Sequence, residues 1–349
     1  MIEIKKTPHY HLLNIIKLVS VIAITVFHVN EFIFFEDFFP LTERTFIYPT
    51  FLKFAHLFPF SGHSIVSIVF FIWGFKQTTF SSLKKVLPIL FIGQLLITLS
   101  FLEGRSFLEA WEWDIYCYLF VAILCLKLIQ NFSQKFFKLT MLVCVALFVL
   151  SPWVQASYFG NSIFSEIFIG RCSWGKTGAW PLFPWIGLPL FCYSAGQLLK
   201  ERGRLFHFNE MIFWFFALIW TPVTWGKLYQ APIGPQFYCY MFNQAEFIFW
   251  GNFLIVLFMM RLSLVERIQV KLDQMKFVRW LSQLHWSRHL GLCYLSEILI
   301  LCLLSNAGPF FQQYPIAFDL MFLALLPLIE GVVASLIKVR KRVFLGQKN

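Results

Sequence analysis

Two residues in the first apolar stretch carry groups suited to anion binding and proton transfer. In HLLNIIKLVSVIAITVFHVNEF, residues 11–32, Lys17 supplies a cation and His28 an imidazole. At 100° per residue, the eleven steps between them end about 20° past three full helical turns, so the two share one face, about 16 Å apart along the axis. A titratable group inside an apolar helix is costly and is a functional candidate by default. Each also has a plainer reading: Lys17 as a side chain that snorkels to headgroups, His28 as an interfacial residue bonded to a neighbour. Glu31 follows His28 by three residues and lies on nearly the same face. It either orients the imidazole or is an interfacial carboxylate. Glu297 stands in the middle of a later apolar stretch, as a site carboxylate or as half of a structural ion pair. Trp180, Pro184 and Trp185 mark the start of another, as an aromatic belt or a platform for a sugar ring. Asp319 and Glu330, in the last stretch, read as packing or boundary residues.

The composition determines what must hold these residues. The 349-residue chain is 58% hydrophobic and 13% charged, and its mean hydropathy is +0.69. Soluble domains carry about a quarter charged residues, so most of this surface is expected to face lipid. The predicted fold is all-α: a single polytopic membrane domain, 1–349, of about ten transmembrane helices. The spans are expected at 12–34, 63–80, 86–102, 113–130, 137–155, 180–199, 210–226, 244–262, 288–305 and 316–337. The opening MIEIKKTPHYH is polar, and no small-residue cleavage site follows the first span, so that span is expected to remain in the protein. With the N-terminus inside, 22 of the 29 Lys and Arg fall in inner segments. This asymmetry predicts that both termini are cytoplasmic. The net charge of +11 is scattered between apolar stretches and forms no continuous basic face, which argues against a nucleic-acid partner.

The outer segments 35–62, 156–179 and 227–243 are aromatic and rich in Pro, Gly and Asn, suited to capping a cavity. The inner segment 263–287 reads as a basic amphipathic helix lying along the membrane surface. Of the eight cysteines, only Cys172 and Cys239 fall in outer segments, where an oxidising environment would let them pair. No Cys or His spacing suggests a metal site.

Several stretches, in order, resemble one family. Lys17-x10-His28 is similar to the Arg/Lys-x10-His motif of the acyltransferase-3 family of membrane O-acyltransferases. FFIWGF at 70–75 resembles that family's Phe-Phe-x-x-Ser-Gly-Phe segment, with Trp73 where the family has Ser. SSLKKVLP at 81–88 sits where the family has Arg-x-x-Arg before a Pro, here replaced by Lys84 and Lys85. PLFPWIGLPLFCYSAGQLL at 181–199 and WLSQLHWSRHLGLCYLSEILIL at 280–301 resemble segments shared with glucosaminide N-acetyltransferase-like membrane proteins, with Glu297 near where many members carry His.

The resemblance implies a membrane acyltransferase in a bacterial inner membrane. It would move an acyl group, commonly acetyl, from cytoplasmic acyl-CoA to a hydroxyl of a glycan or lipid-linked sugar, without a metal. CoA is a polyanion, and Lys84, Lys85 and Lys17 are the implied docking groups. His28 is the implied general base, a role suited to a group that titrates near neutrality. Glu31 is its expected partner, and Trp180, Trp185 and Glu297 are expected to meet the acceptor. The competing expectation is a transporter or flippase of an amphipathic solute. That reading shares the buried charges but needs no basic donor site on the inner face.

Overall fold

The structure, a computed structural model, describes residues 11–33, 47, 48, 50, 51, 61–100, 115–130, 134–157, 168, 182–202 and 266–345. Among the described residues every regular element is helical and there is no strand. Contacts divide the chain into two compact units, Pro8–Gly62 with Met260–Asn349, and Met1–Thr7 with His63–Met259.

The first unit contains α1 (His11–Ile33), α8 (Glu266–Gln274), α9 (Lys276–Gln283), α10 (His285–Arg288), α11 (Leu290–Leu304), α12 (Gly308–Gln313) and α13 (Pro315–Leu345). The second contains α2 (Ser61–Phe75, from His63 onward), α3 (Phe80–Leu83), α4 (Leu87–Ser100), α5 (Ile115–Gln130), α6 (Gln134–Ser157) and α7 (Gly187–Arg202). Helices thus stand at eight of the ten expected spans. The expected spans 210–226 and 244–262 lie outside the described residues, as do Cys172 and Cys239. One start differs clearly: α7 begins at Gly187, because residues 182–186 form turns around Pro184. The segment expected as one surface helix, 263–287, is broken after Gln274 and Gln283 into α8, α9 and α10.

Two helical stretches, Phe80–Leu99 (α3 through α4) and Pro315–Val339 (within α13), are long and apolar enough to cross a membrane. Shorter apolar helices cover Leu13–Val26, Gly62–Phe75, Ile115–Gln130, Phe137–Ser151 and Leu290–Leu304. In α13, Phe318, Phe322, Leu325, Ile329 and Val333 recur every three or four residues and are buried. Ile316, Leu320, Leu323, Leu328, Leu336 and Val339 are apolar too, yet exposed. A helix on the surface of a water-soluble bundle would be polar on that outer face. The same pattern holds on α6, where Leu139, Leu142, Val143, Leu150 and Trp153 are exposed.

In the first unit, α1 packs on α9, α10 and α11, and α11 packs on α13. The turn around Tyr48 is tied into this bundle at both ends. Asp319 accepts the backbone N–H groups of Ile47 at 3.2 Å and Tyr48 at 3.0 Å. The Tyr48 hydroxyl donates to the Val26 carbonyl of α1 at 2.9 Å. Burial pushes this phenol well above its ordinary range, so it stays a donor.

In the second unit, α2 and α7 cross at two glycines. A Cβ on Gly74 would collide with the Tyr193 carbonyl, and one on Gly196 with the Phe71 carbonyl and the Phe75 amide. Small residues let helices approach to backbone contact where lipid provides no hydrophobic drive. The turn that follows α2 is held by Gln130. Its side chain donates to the Thr78 carbonyl at 3.0 Å and to the Tyr193 hydroxyl at 2.7 Å, and accepts the Phe80 N–H at 2.7 Å.

Adding one methyl group at the α2–α7 crossing should therefore overpack it, at a cost of about 1–3 kcal/mol each for Gly74→Ala and Gly196→Ala. Gly331→Ala in α13 meets nothing within 4 Å and should be neutral or stabilising by up to about 1 kcal/mol, the helix-propensity gain. Thermal melting of the three purified variants in detergent checks the contrast.

Candidate functional site

α1 runs unbroken from His11 to Ile33, so the register that aligns Lys17 with His28 is kept. Lys17 is 8% exposed. Most of its side chain is therefore enclosed within the bundle.

His28 meets α11. Its Nδ1 lies 2.8 Å from Glu297 Oε1. The Glu297 side chain is 1% exposed and that of His28 is 14% exposed. With Glu297 ionised the carboxylate can only accept, and in that state the ring nitrogen facing it carries the hydrogen and the basic lone pair lies on Nε2. Tyr294, one turn before Glu297 on the same helix, sets its ring edge-on to His28 at 5.4 Å and 61°. A ring held between a carboxylate and an aromatic edge has its tautomer and its plane fixed. A positioned general base requires both.

The expected partner of His28 was Glu31. The structure places Glu297 against the His28 Nδ1, which matches the ion-pair reading of that carboxylate. Glu31 lies in α1, and its side chain is outside the described residues, as is Trp180. Lys84 and Lys85 are exposed in the turn between α3 and α4. That turn belongs to the unit that begins at His63. Trp185 belongs there too and is 0% exposed. Its ring packs on His63 at 4.1 Å and on Phe148 at 5.6 Å, and its carbonyl accepts the Tyr118 hydroxyl at 2.6 Å. This is a core position, with no face open for a sugar to stack on.

Two further histidines are paired in the first unit, and neither pairing was expected. His11 Nε2 lies 2.5 Å from Asp273 Oδ1, and its Nδ1 lies 2.7 Å from Ser282 Oγ. The residue types are those of a hydrolytic triad. However, Ser282 is 1% exposed and its hydroxyl donates to the Arg279 carbonyl at 2.9 Å. The serine therefore faces His11 as an acceptor and is closed to substrate. The arrangement is a tie between α1, α8 and α9. Glu330 accepts the His285 backbone N–H at 3.0 and 3.1 Å and faces His285 Nδ1 at 2.6 Å, which fastens α10 to α13. Among the described residues no group of three or more His, Cys, Asp or Glu is arranged to hold a metal ion.

Tyr294 was also missed, although the sequence carried a signal for it: it precedes Glu297 by three residues and so shares its face. The pairings of His11 and His285 carried no comparable signal, because their partners are 262 and 45 residues away.

Comparison of the chain with protein-family models, with curated proteins and with solved structures finds no match.

Removing Glu297 takes the carboxylate from the half-buried His28 Nδ1, and removing His28 takes the imidazole from a buried carboxylate. Each single alanine variant is expected to lose about 1–3 kcal/mol of stability. The double variant should lose less than the sum, with a coupling of about 0.5–3 kcal/mol. A double-mutant cycle read by denaturation in mixed micelles measures it.

Proposed function

We propose that this protein is a multi-pass membrane acyltransferase with His28 as general base. It transfers an acyl group, acetyl in the simplest case, from cytoplasmic acyl-CoA to a hydroxyl of a glycan or lipid-linked sugar. The observation that carries the proposal is the His28–Glu297 pair, 2.8 Å apart within an apolar helical bundle. A buried carboxylate that orients a histidine leaves one basic nitrogen, at Nε2, with a defined direction. The ordered resemblance to the acyltransferase-3 motifs supplies the reaction class.

In this reading Nε2 takes the proton of the acceptor hydroxyl as its oxygen attacks the thioester carbonyl. The C–S bond breaks as the tetrahedral intermediate collapses. The proton then passes from Nε2 to the departing thiolate, giving the ester and free CoA thiol. Glu297 keeps its proton count constant and stabilises the imidazolium while it exists. Lys17 offers positive charge to the polyanionic donor on the same face of α1.

The outward apolar face of α13 supports the membrane setting, because it would be unfavourable in water and is matched by lipid. The transporter reading gains no comparable feature from the described residues.

Purified protein in liposomes, given labelled acetyl-CoA and a panel of glycans, provides the test, with slow acetyl-CoA hydrolysis followed in parallel. His28→Ala should lower turnover by about 10²–10⁴-fold, the usual contribution of a general base. Glu297→Gln should lower kcat while leaving the KM for acetyl-CoA in place. Folded protein with neither CoA binding nor turnover would overturn the proposal and favour the transporter.

A further inference from the structure

The α8–α10 segment carries a surface that acyl transfer does not use. Val278 and Ser282 of α9 are buried, one turn apart, on the side packed against α1. The rest of the helix divides by angle at 100° per residue. Phe277 and Trp280 lie about 60° apart on one flank, 65% and 54% exposed, with their rings in contact at 5.9 Å. Lys276 and Arg279 lie about 60° apart on the other flank, and both are exposed. Lys271 of α8 and Arg288 of α10 are exposed as well. Between Lys271 and Arg288 the acidic residue is Asp273, and its carboxylate is engaged by His11.

Two exposed aromatic rings beside four exposed cations match neither water alone nor lipid tails alone. They match the boundary between them, where aromatic rings sit at headgroup level and cations meet phosphates. The His11–Asp273 and His11–Ser282 contacts hold α8 and α9 against α1, so the surface is presented by a fixed element.

We propose that this flank docks on a bilayer leaflet that carries anionic phospholipid. Phe277 and Trp280 enter the upper acyl region, and Lys271, Lys276, Arg279 and Arg288 bind the headgroup phosphates. The inference rests on the membrane setting proposed above and is independent of acyl transfer. Electrostatic attraction to an anionic leaflet grows with each basic residue and is screened by salt.

The full chain in lipid nanodiscs tests this. Discs of phosphatidylcholine are compared with discs containing increasing phosphatidylglycerol, and the melting midpoint is recorded. The wild type should melt higher as the anionic fraction rises, and added salt should abolish the rise. Lys276→Gln/Arg279→Gln should match the wild type in neutral discs and lose about half of the rise, because two of the four cations are gone. In a second readout, the fluorescence lost on Trp280→Phe should be quenched most strongly by bromines on the upper acyl carbons. A wild type indifferent to anionic lipid, a double variant that keeps the full rise, or a Trp280 beyond reach of all brominated lipids would overturn the proposal. So would an equal rise in neutral discs on adding inorganic phosphate alone, since the cations would then be binding free anion. Protein that stays soluble without detergent or discs would instead refute the membrane setting itself.

Discussion

A carboxylate with 1% exposure inside an apolar helix has few ways to exist. Burying such a polar group costs free energy unless hydrogen-bond partners or an opposite charge face it. Glu297 meets this requirement with His28, and the requirement fixes how α1 and α11 can pack. Sliding α1 by one turn, about 5.4 Å, would leave both groups buried without each other. The other polar contacts of the unit fit the same register. His11 reaches α8 and α9, Tyr48 reaches Val26, Asp319 holds the Tyr48 turn, and Glu330 holds α10. Each tie joins separate segments through directional bonds, whereas apolar packing alone would tolerate sliding.

The two units solve the packing problem differently. In the first, side-chain ties between polar groups supply the specificity. In the second, α2 and α7 meet backbone to backbone at Gly74 and Gly196, and one glutamine, Gln130, satisfies the turn that leads to Lys84 and Lys85. That turn includes Gln77 at φ 54°, a left-handed conformation that a non-glycine residue adopts only when its surroundings hold it.

Much of the helical layout was legible, because runs of apolar residues and the helical period act locally. The alignment of Lys17 with His28 needed only the helix repeat. Glu297 was legible as a charge out of place, but its partner was not: the two residues are 269 apart and nothing local links them. Glu31 was preferred because spacing along one helix was the available geometry. Trp185 was read at a helix end beside Trp180, where aromatic belts form. The turns around Pro184 instead deliver it into the core, against His63 and Phe148. The inner amphipathic segment was recognised by its composition. Its breaks after Gln274 and Gln283 arise from how α8, α9 and α10 fit around α1, which is a tertiary effect.

The central claim is that Glu297 holds His28 with the hydrogen on Nδ1 and the lone pair on Nε2. Nitrogen-15 NMR of histidine-labelled protein in bilayers, with His28 assigned by its loss in His28→Gln, reads this state directly. The account predicts a neutral, Nδ1-protonated ring with a strongly deshielded proton, and a signal that shifts on Glu297→Gln. A ring protonated at Nε2 and unchanged by substitution of Glu297 would contradict it.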